Sequence, residues 1–194
     1  MKKGLKLPTI LIYLLLIGLL VYFVSLGNYE FISYAVVVGL LYYIVLRADK
    51  YYNFPVYAIW LFAIWVASHM LGGAIYIGGT RLYDLILIPL FNGGGEFVML
   101  KYDQAIHAYC YIAFAILVYY MLKKHFKSGQ TKALVLFTIL AAIGIGLLNE
   151  VIEFALVVFA DAADAVGGYY NTALDLVFNL IGAIMGAILA WKLD

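Results

Sequence analysis

From residue 7 to residue 26 the chain carries no charged side chain, only a run of leucine, isoleucine, valine and aromatic residues broken by Pro8, Thr9, Gly18 and Ser25. A helix rises 1.5 Å per residue, so about 20 apolar residues span the hydrocarbon core of a bilayer. Five more mostly apolar stretches are candidate spans: residues 31–46, 54–71, 102–122, 132–160 and 172–191. The second is short and is expected to extend at both ends. The fifth meets polar Asn149 and Glu150 after its apolar part, so it is either one long tilted helix or a broken one. Hydrophobic residues make up 67% of the 194 and charged residues 12%, against about a quarter charged in soluble domains, so lipid must solvate much of the chain. The expected fold is an all-α integral membrane protein: a six-helix transmembrane bundle forming a single domain over residues 1–194.

Several classes are excluded at once. A net charge of +1 offers no basis for nucleic acid as a partner. The single cysteine, Cys110, forbids an intrachain disulfide. Lys2, Lys3 and Lys6 before an apolar run resemble a secretory leader, but that run is longer than the usual leader core, and a retained first helix is expected. No internal repeat or low-complexity tract is evident.

Basic residues favour cytoplasmic loops. Lys2, Lys3, Lys6, Arg47, Lys50, Lys123, Lys124, Lys127, Lys132 and Lys192 fall on one side of the six spans, and only Arg81 and Lys101 on the other. Both termini are therefore expected in the cytoplasm of a cell-membrane protein, with Tyr29, Tyr51, Tyr52, Tyr102, Tyr169 and Tyr170 as interfacial anchors. The connection 72–101 becomes extracytoplasmic. It contains three glycine clusters and an apolar piece, 81–91, too short to span, which is expected to lie in the interface, to re-enter the membrane, or to form a plain lid.

The acidic residues are not scattered. Asp49 and Asp194 fall on the cytoplasmic side, and Glu30, Asp84, Glu96, Asp161 and Asp164 in or beside outer loops. Asp103, Glu150, Glu153 and Asp175 remain inside spans, all in the outer half, at the level of His69, His107, Asn149 and Asn179. Asp103 and His107 are four apart, as are Asp175 and Asn179, while Glu150 and Glu153 are three apart, so each pair shares a helical face. A charge facing lipid near the bilayer centre costs about 2.5–3.5 kcal/mol or more, which turns these faces inward. Four carboxylates in one pocket repel unless they take up protons or a cation. With two imidazoles beside them they make a ligand set suited to a divalent ion such as zinc or manganese, here Asp103, His107, Glu150 and Asp175. Such an ion polarises a carbonyl or phosphoryl oxygen or generates hydroxide. Without it, the same groups suit general acid–base work.

Simpler roles exist for single residues. Asp103 suits a helix start, Asn171 suits the cap of the sixth helix, and Asn179 suits an interhelical hydrogen bond. Gly182 and Gly186 permit close helix packing, and His125 in KKHFK is a solvated loop residue. Glu150 with Glu153 resists such a reading, because no basic residue within the spans is spare to pair them.

The motifs HMLGG (69–73), LYD (82–84), the D-x-x-x-H pair in YDQAIH, NEVIE (149–153) and YYNTALDLVFNLIGAIMG (169–186) together resemble the VanZ-like and YjdF-like group of small membrane proteins. The likeness covers about the last two-thirds of the chain, and the D-x-x-x-N-x-x-G spacing of Asp175, Asn179 and Gly182 is its most specific part. VanZ-like members commonly carry Lys where this chain has Gln104, Gln where it has Glu153, and Arg near Tyr169 and Tyr170. The YjdF-like branch fits better, with Asn171 in place of its acidic residue. The resemblance implies a small polytopic protein of the cell envelope, with one member type linked to glycopeptide resistance, and no secure reaction.

The favoured expectation is a membrane-embedded enzyme, a metal- or acid/base-dependent hydrolase or transferase. Its substrate is a membrane lipid or a lipid-linked envelope precursor reached from the outer leaflet. Asp103, His107, Glu150, Glu153 and Asp175 carry the chemistry, while His69, Asn179, Arg81 and Tyr170 orient substrate. The alternatives are a non-enzymatic binder or transporter of a cation, proton or amphiphile, and a structural subunit. An inner half with few polar residues argues against full translocation. Polar contacts worth about 0.6 kcal/mol each argue against burying four acids for association alone.

Overall fold

The computed structural model describes residues 2–92, 98–127, 129–160 and 168–194. Six helices dominate: α1 (Lys6–Ser25), α2 (Tyr29–Tyr52), α3 (Val56–Ala74), α4 (Tyr102–Lys123), α5 (Thr131–Ala160) and α6 (Tyr169–Leu193). All six are long and apolar enough to cross a membrane. Between α3 and α4 run four short strands, β1 (Tyr76–Ile77), β2 (Thr80–Arg81), β3 (Ile86–Asn92) and β4 (Val98–Lys101), with a 3-10 turn at Leu82–Asp84. Glu96, Asp161 and Asp164, read from sequence as outer-loop charges, lie outside the described residues.

The chain packs as two compact units, Met1–Tyr83 and Asp84–Asp194. In the first, α2 extends past the expected apolar run at both ends. At its start the Asn28 side chain accepts from the Phe31 N–H at 3.1 Å, a standard amino-terminal cap. At its end Asn53 takes the left-handed conformation that stops a helix, and Pro55 then opens α3. The added turn carries Asp49, which accepts from the Lys2 ammonium at 2.6 Å, so the amino terminus is tied to the α2–α3 end of this unit. Phe23, Phe31, Tyr42, Phe54, Phe62 and Met70 fill its core. Ile10, Leu14 and Val21 of α1, and Val36, Leu40 and Ile44 of α2, remain exposed, the distribution of a surface solvated by lipid.

The connection between α3 and α4 is built from short strands and one 3-10 turn. β1 and β2 form a hairpin with Tyr76 opposite Arg81, turned by Gly78 and Gly79, both at positive φ, as the tightest hairpin turn requires. β3 pairs antiparallel with β4, and its register shifts between Ile86 and Phe91, the stretch that holds Pro89, which has no N–H for the ladder. Sequence periodicity did not reveal these strands: 85–91 shows a continuous apolar run instead of alternation.

In the second unit β4 feeds directly into α4, with the Tyr102 N–H donating to the Leu85 carbonyl at 2.9 Å. α5 is continuous over 30 residues, which settles the choice between a long and a broken fifth helix. At about 45 Å it exceeds a ~30 Å hydrocarbon core. α4 and α6 pack backbone to backbone, because Gly182 and Gly186 present no side chain: a Cβ at Gly182 would collide with the Ala108 carbonyl and one at Gly186 with that of Ile112. Ala183, Ala187 and Ala190 continue the buried small-residue face. At the far end the Lys123 ammonium donates to Asp194 at 2.5 Å.

Candidate functional site

Three helix ends meet in the Asp84–Asp194 unit. α4 brings Asp103 and His107 from its first two turns, α6 brings Asp175 and Asn179 from its own early turns, and α5, running the opposite way, brings Glu150 and Glu153 from its later half. The opposite end of the unit holds the Lys123–Asp194 pair, twenty residues along α4 from Asp103, or about 30 Å.

Asp103, His107, Glu150, Glu153 and Asp175 come together with His107 at the middle. Its Nε2 lies 3.7 Å from Asp103 Oδ1 and its Nδ1 lies 4.0 Å from Glu150 Oε1. Two overlapping sets, Asp103–His107–Asp175 and His107–Glu150–Glu153, each bring ligand atoms within 4.8 Å of one another. Asp175 and Glu150 are 1% and 5% exposed, yet Asp175 Oδ1 and Glu150 Oε2 have no hydrogen-bond partner among the described residues. No lysine or arginine pairs with any of the four carboxylates among the described residues. A buried carboxylate oxygen left in this state is expensive unless a proton or a cation balances it.

Asparagines organise the cluster. Asn179 Oδ1 lies 2.9 Å from His107 Nδ1, and its Nδ2 faces Glu150 Oε1 at 3.5 Å. Asn149 Nδ2 donates to Glu153 Oε1 at 2.7 Å. Asn171 Nδ2 donates to Asp175 Oδ2 at 2.7 Å and to Asp103 Oδ2 at 3.4 Å. The expected role of Asn171 as a helix cap is corrected: α6 begins at Tyr169 after Gly168, so Asn171 already lies within its first turn. A sequence signal existed, since Asn171, Asn179 and Asp175 recur every four residues on one face. Gly146 was also missed. A Cβ there would sit 3.2 Å from Asn179 Nδ2 and 3.3 Å from the Tyr111 ring, so the glycine leaves room for the amide.

The other residues assigned to substrate lie elsewhere in the chain. Tyr170, one turn before the cluster residues of α6, is exposed, its ring edge-on to Tyr169. His69 and Arg81 belong to the Met1–Tyr83 unit. There Tyr83 anchors both: its hydroxyl bonds His69 Nδ1 at 2.8 Å and also the His69 carbonyl, and the Arg81 guanidinium lies 5.8 Å from the centre of its ring. His69 stacks on Trp65 at 5.3 Å, within an aromatic cluster that includes Tyr34.

No curated protein and no solved structure matches the chain. A family model described as a predicted membrane protein, DUF2238, matches residues 7–194, a span that contains every residue of the cluster. The YjdF-like proteins named by the sequence resemblance are in this family. The chain therefore belongs to the DUF2238 family of membrane proteins.

Proposed function

We propose that this chain is a membrane-embedded, divalent-metal-dependent hydrolase or transferase acting on a lipid or lipid-linked envelope substrate. One observation carries the reading: His107 stands between two carboxylate pairs from three helices, with two buried carboxylate oxygens unpartnered. That donor set suits zinc or manganese, and a bound ion supplies Lewis acidity and an activated water. The carboxylates left outside its coordination sphere take the proton of the attacking water or hydroxyl and return one to the leaving oxygen. The lipid substrate rests on the position of the cluster at an end of membrane-length helices. The outer leaflet rests on the bias of basic residues toward the other end, which also puts both termini in the cytoplasm. The VanZ-like resemblance of the same motifs supports an envelope setting.

The test uses the full-length protein in detergent micelles. Metal content is measured after purification, after chelation and after return of Zn²⁺ or Mn²⁺, and hydrolysis is followed on a panel of ester and phosphoester lipids. About one ion per chain and metal-dependent turnover are expected, with His107→Ala losing both and Glu150→Gln losing turnover. Absence of stoichiometric metal overturns the reading. A bound ion with no turnover on any lipid favours the binder or transporter, for which the same clustered acids are sufficient.

A further inference from the structure

The two overlapping ligand sets share one imidazole, and a neutral imidazole has a lone pair on only one of its nitrogens. Which nitrogen is free decides which set can hold an ion. Asn179 settles this. Its Nδ2 faces Glu150 Oε1 at 3.5 Å, and an ionised carboxylate only accepts, so the NH₂ belongs on that side. Its Oδ1 is thereby the atom 2.9 Å from His107 Nδ1, which must carry the proton and donate it. The lone pair is left on Nε2, the nitrogen 3.7 Å from Asp103 Oδ1.

Asp103, beside Nε2, and Asp175 of the same ligand set are prepared in the same way. Asn171 Nδ2 holds one oxygen of each, Oδ2 of Asp175 at 2.7 Å and Oδ2 of Asp103 at 3.4 Å. What remains is Oδ1 of Asp103 and Oδ1 of Asp175, the latter buried and unpartnered. Resting on the metal-centre reading above, we infer that a single divalent ion is held by Asp103 Oδ1, His107 Nε2 and Asp175 Oδ1, with Asn171 and Asn179 as positioning residues that turn these atoms toward it. Three protein ligands leave a coordination position open, the arrangement of catalytic rather than structural zinc sites. Glu150 lies on the Nδ1 side of the ring, where the imidazole N–H donates to Asn179, and Glu150 with its neighbour Glu153 is outside the coordination sphere. Glu150 Oε2 is then free for a proton rather than a ligand.

The experiment loads full-length protein in micelles with Zn²⁺ alone and reads two quantities. The first is the ¹⁵N spectrum of the imidazoles in protein labelled only at histidine, which holds three, with His107→Ala identifying the relevant signals. Metal on Nε2 with a proton on Nδ1 is expected; metal on Nδ1 overturns the assignment. The second is Zn²⁺ affinity. Asp103→Asn and Asp175→Asn are expected to abolish binding, Glu153→Gln to leave affinity within about threefold, and Asn171→Leu and Asn179→Leu to weaken it about 10–100-fold, the usual effect of losing an outer partner. Asn179→Leu is further expected to release the fixed tautomer in the ¹⁵N spectrum, a signature that general destabilisation does not produce. Loss of binding in Glu153→Gln with retention in Asp175→Asn overturns the inference and leaves the metal-centre reading standing. Failure of the unaltered protein to bind Zn²⁺ overturns both.

Discussion

At Glu150 a single side chain is expected to trade stability against the proposed chemistry. It is 5% exposed, and its Oε2 meets no partner among the described residues. An unsatisfied buried polar group costs about 1–3 kcal/mol, and a charged one more. Glu150→Gln keeps the shape and removes a negative charge from a crowded cluster. Metal-free Glu150→Gln protein is therefore expected to unfold about 2–4 °C higher in micelles, the shift that ~1 kcal/mol gives a chain of this size. An unchanged or lower midpoint would mean that this carboxylate is not a strained charge. Gly146 makes the complementary case. In an ordinary helix, replacing glycine with alanine gains about 0.5–1 kcal/mol. Here the new Cβ presses on the Asn179 amide from 3.2 Å, and the amide must shift. Gly146→Ala is expected to lower Zn²⁺ affinity about tenfold in titrations, without a matching loss of thermal stability. Equal affinities would show that the amide has room to spare.

The seam between α4 and α6 sets the geometry of the site, because it carries Asp103 and His107 on one helix and Asp175 and Asn179 on the other. Its closeness depends on two absent side chains: the position of a Cβ at Gly182 is occupied by the Ala108 carbonyl, and at Gly186 by that of Ile112. Backbone cannot yield as a flexible side chain does, so Gly182→Ala must part the helices. The expected cost is about 1–3 kcal/mol, with loss of Zn²⁺ binding as the ligands separate. Gly18→Ala is the control, since a Cβ there meets nothing within 4 Å. It is expected to be neutral or stabilising by up to ~1 kcal/mol. Both are read by reversible unfolding in mixed micelles, and similar behaviour of the two variants would remove the argument from close packing.

For the molecule as a membrane protein, the bias of basic residues yields an orientation that chemistry can check. Cys110 is buried and is the sole native cysteine, so Cys110→Ala supplies a clean background. In intact cells a membrane-impermeant maleimide is expected to label Thr80→Cys, exposed at the start of β2, and to spare Asp194→Cys until the membrane is opened. The reverse pattern would place the ion cluster at the cytoplasmic face and move the substrate to the inner leaflet.

Six membrane-length helices were legible in the chain without coordinates, because lipid imposes a length and a polarity that local composition displays directly. The pairing of Asp103 with His107, of Glu150 with Glu153, and of Asp175 with Asn179 was equally legible, since helical spacing is a local property. The strands of the α3–α4 connection were not, because a short apolar run has no period of its own and hydrogen bonds to distant residues make it a strand. The part played by Asn171 was legible only as a shared face with Asp175 and Asn179; its contact with Asp103 of another helix was not. The His107–Asn179 contact joins residues 72 apart along the chain. Contacts of that kind belong to the packing of α4, α5 and α6, and no local pattern in the sequence encodes them.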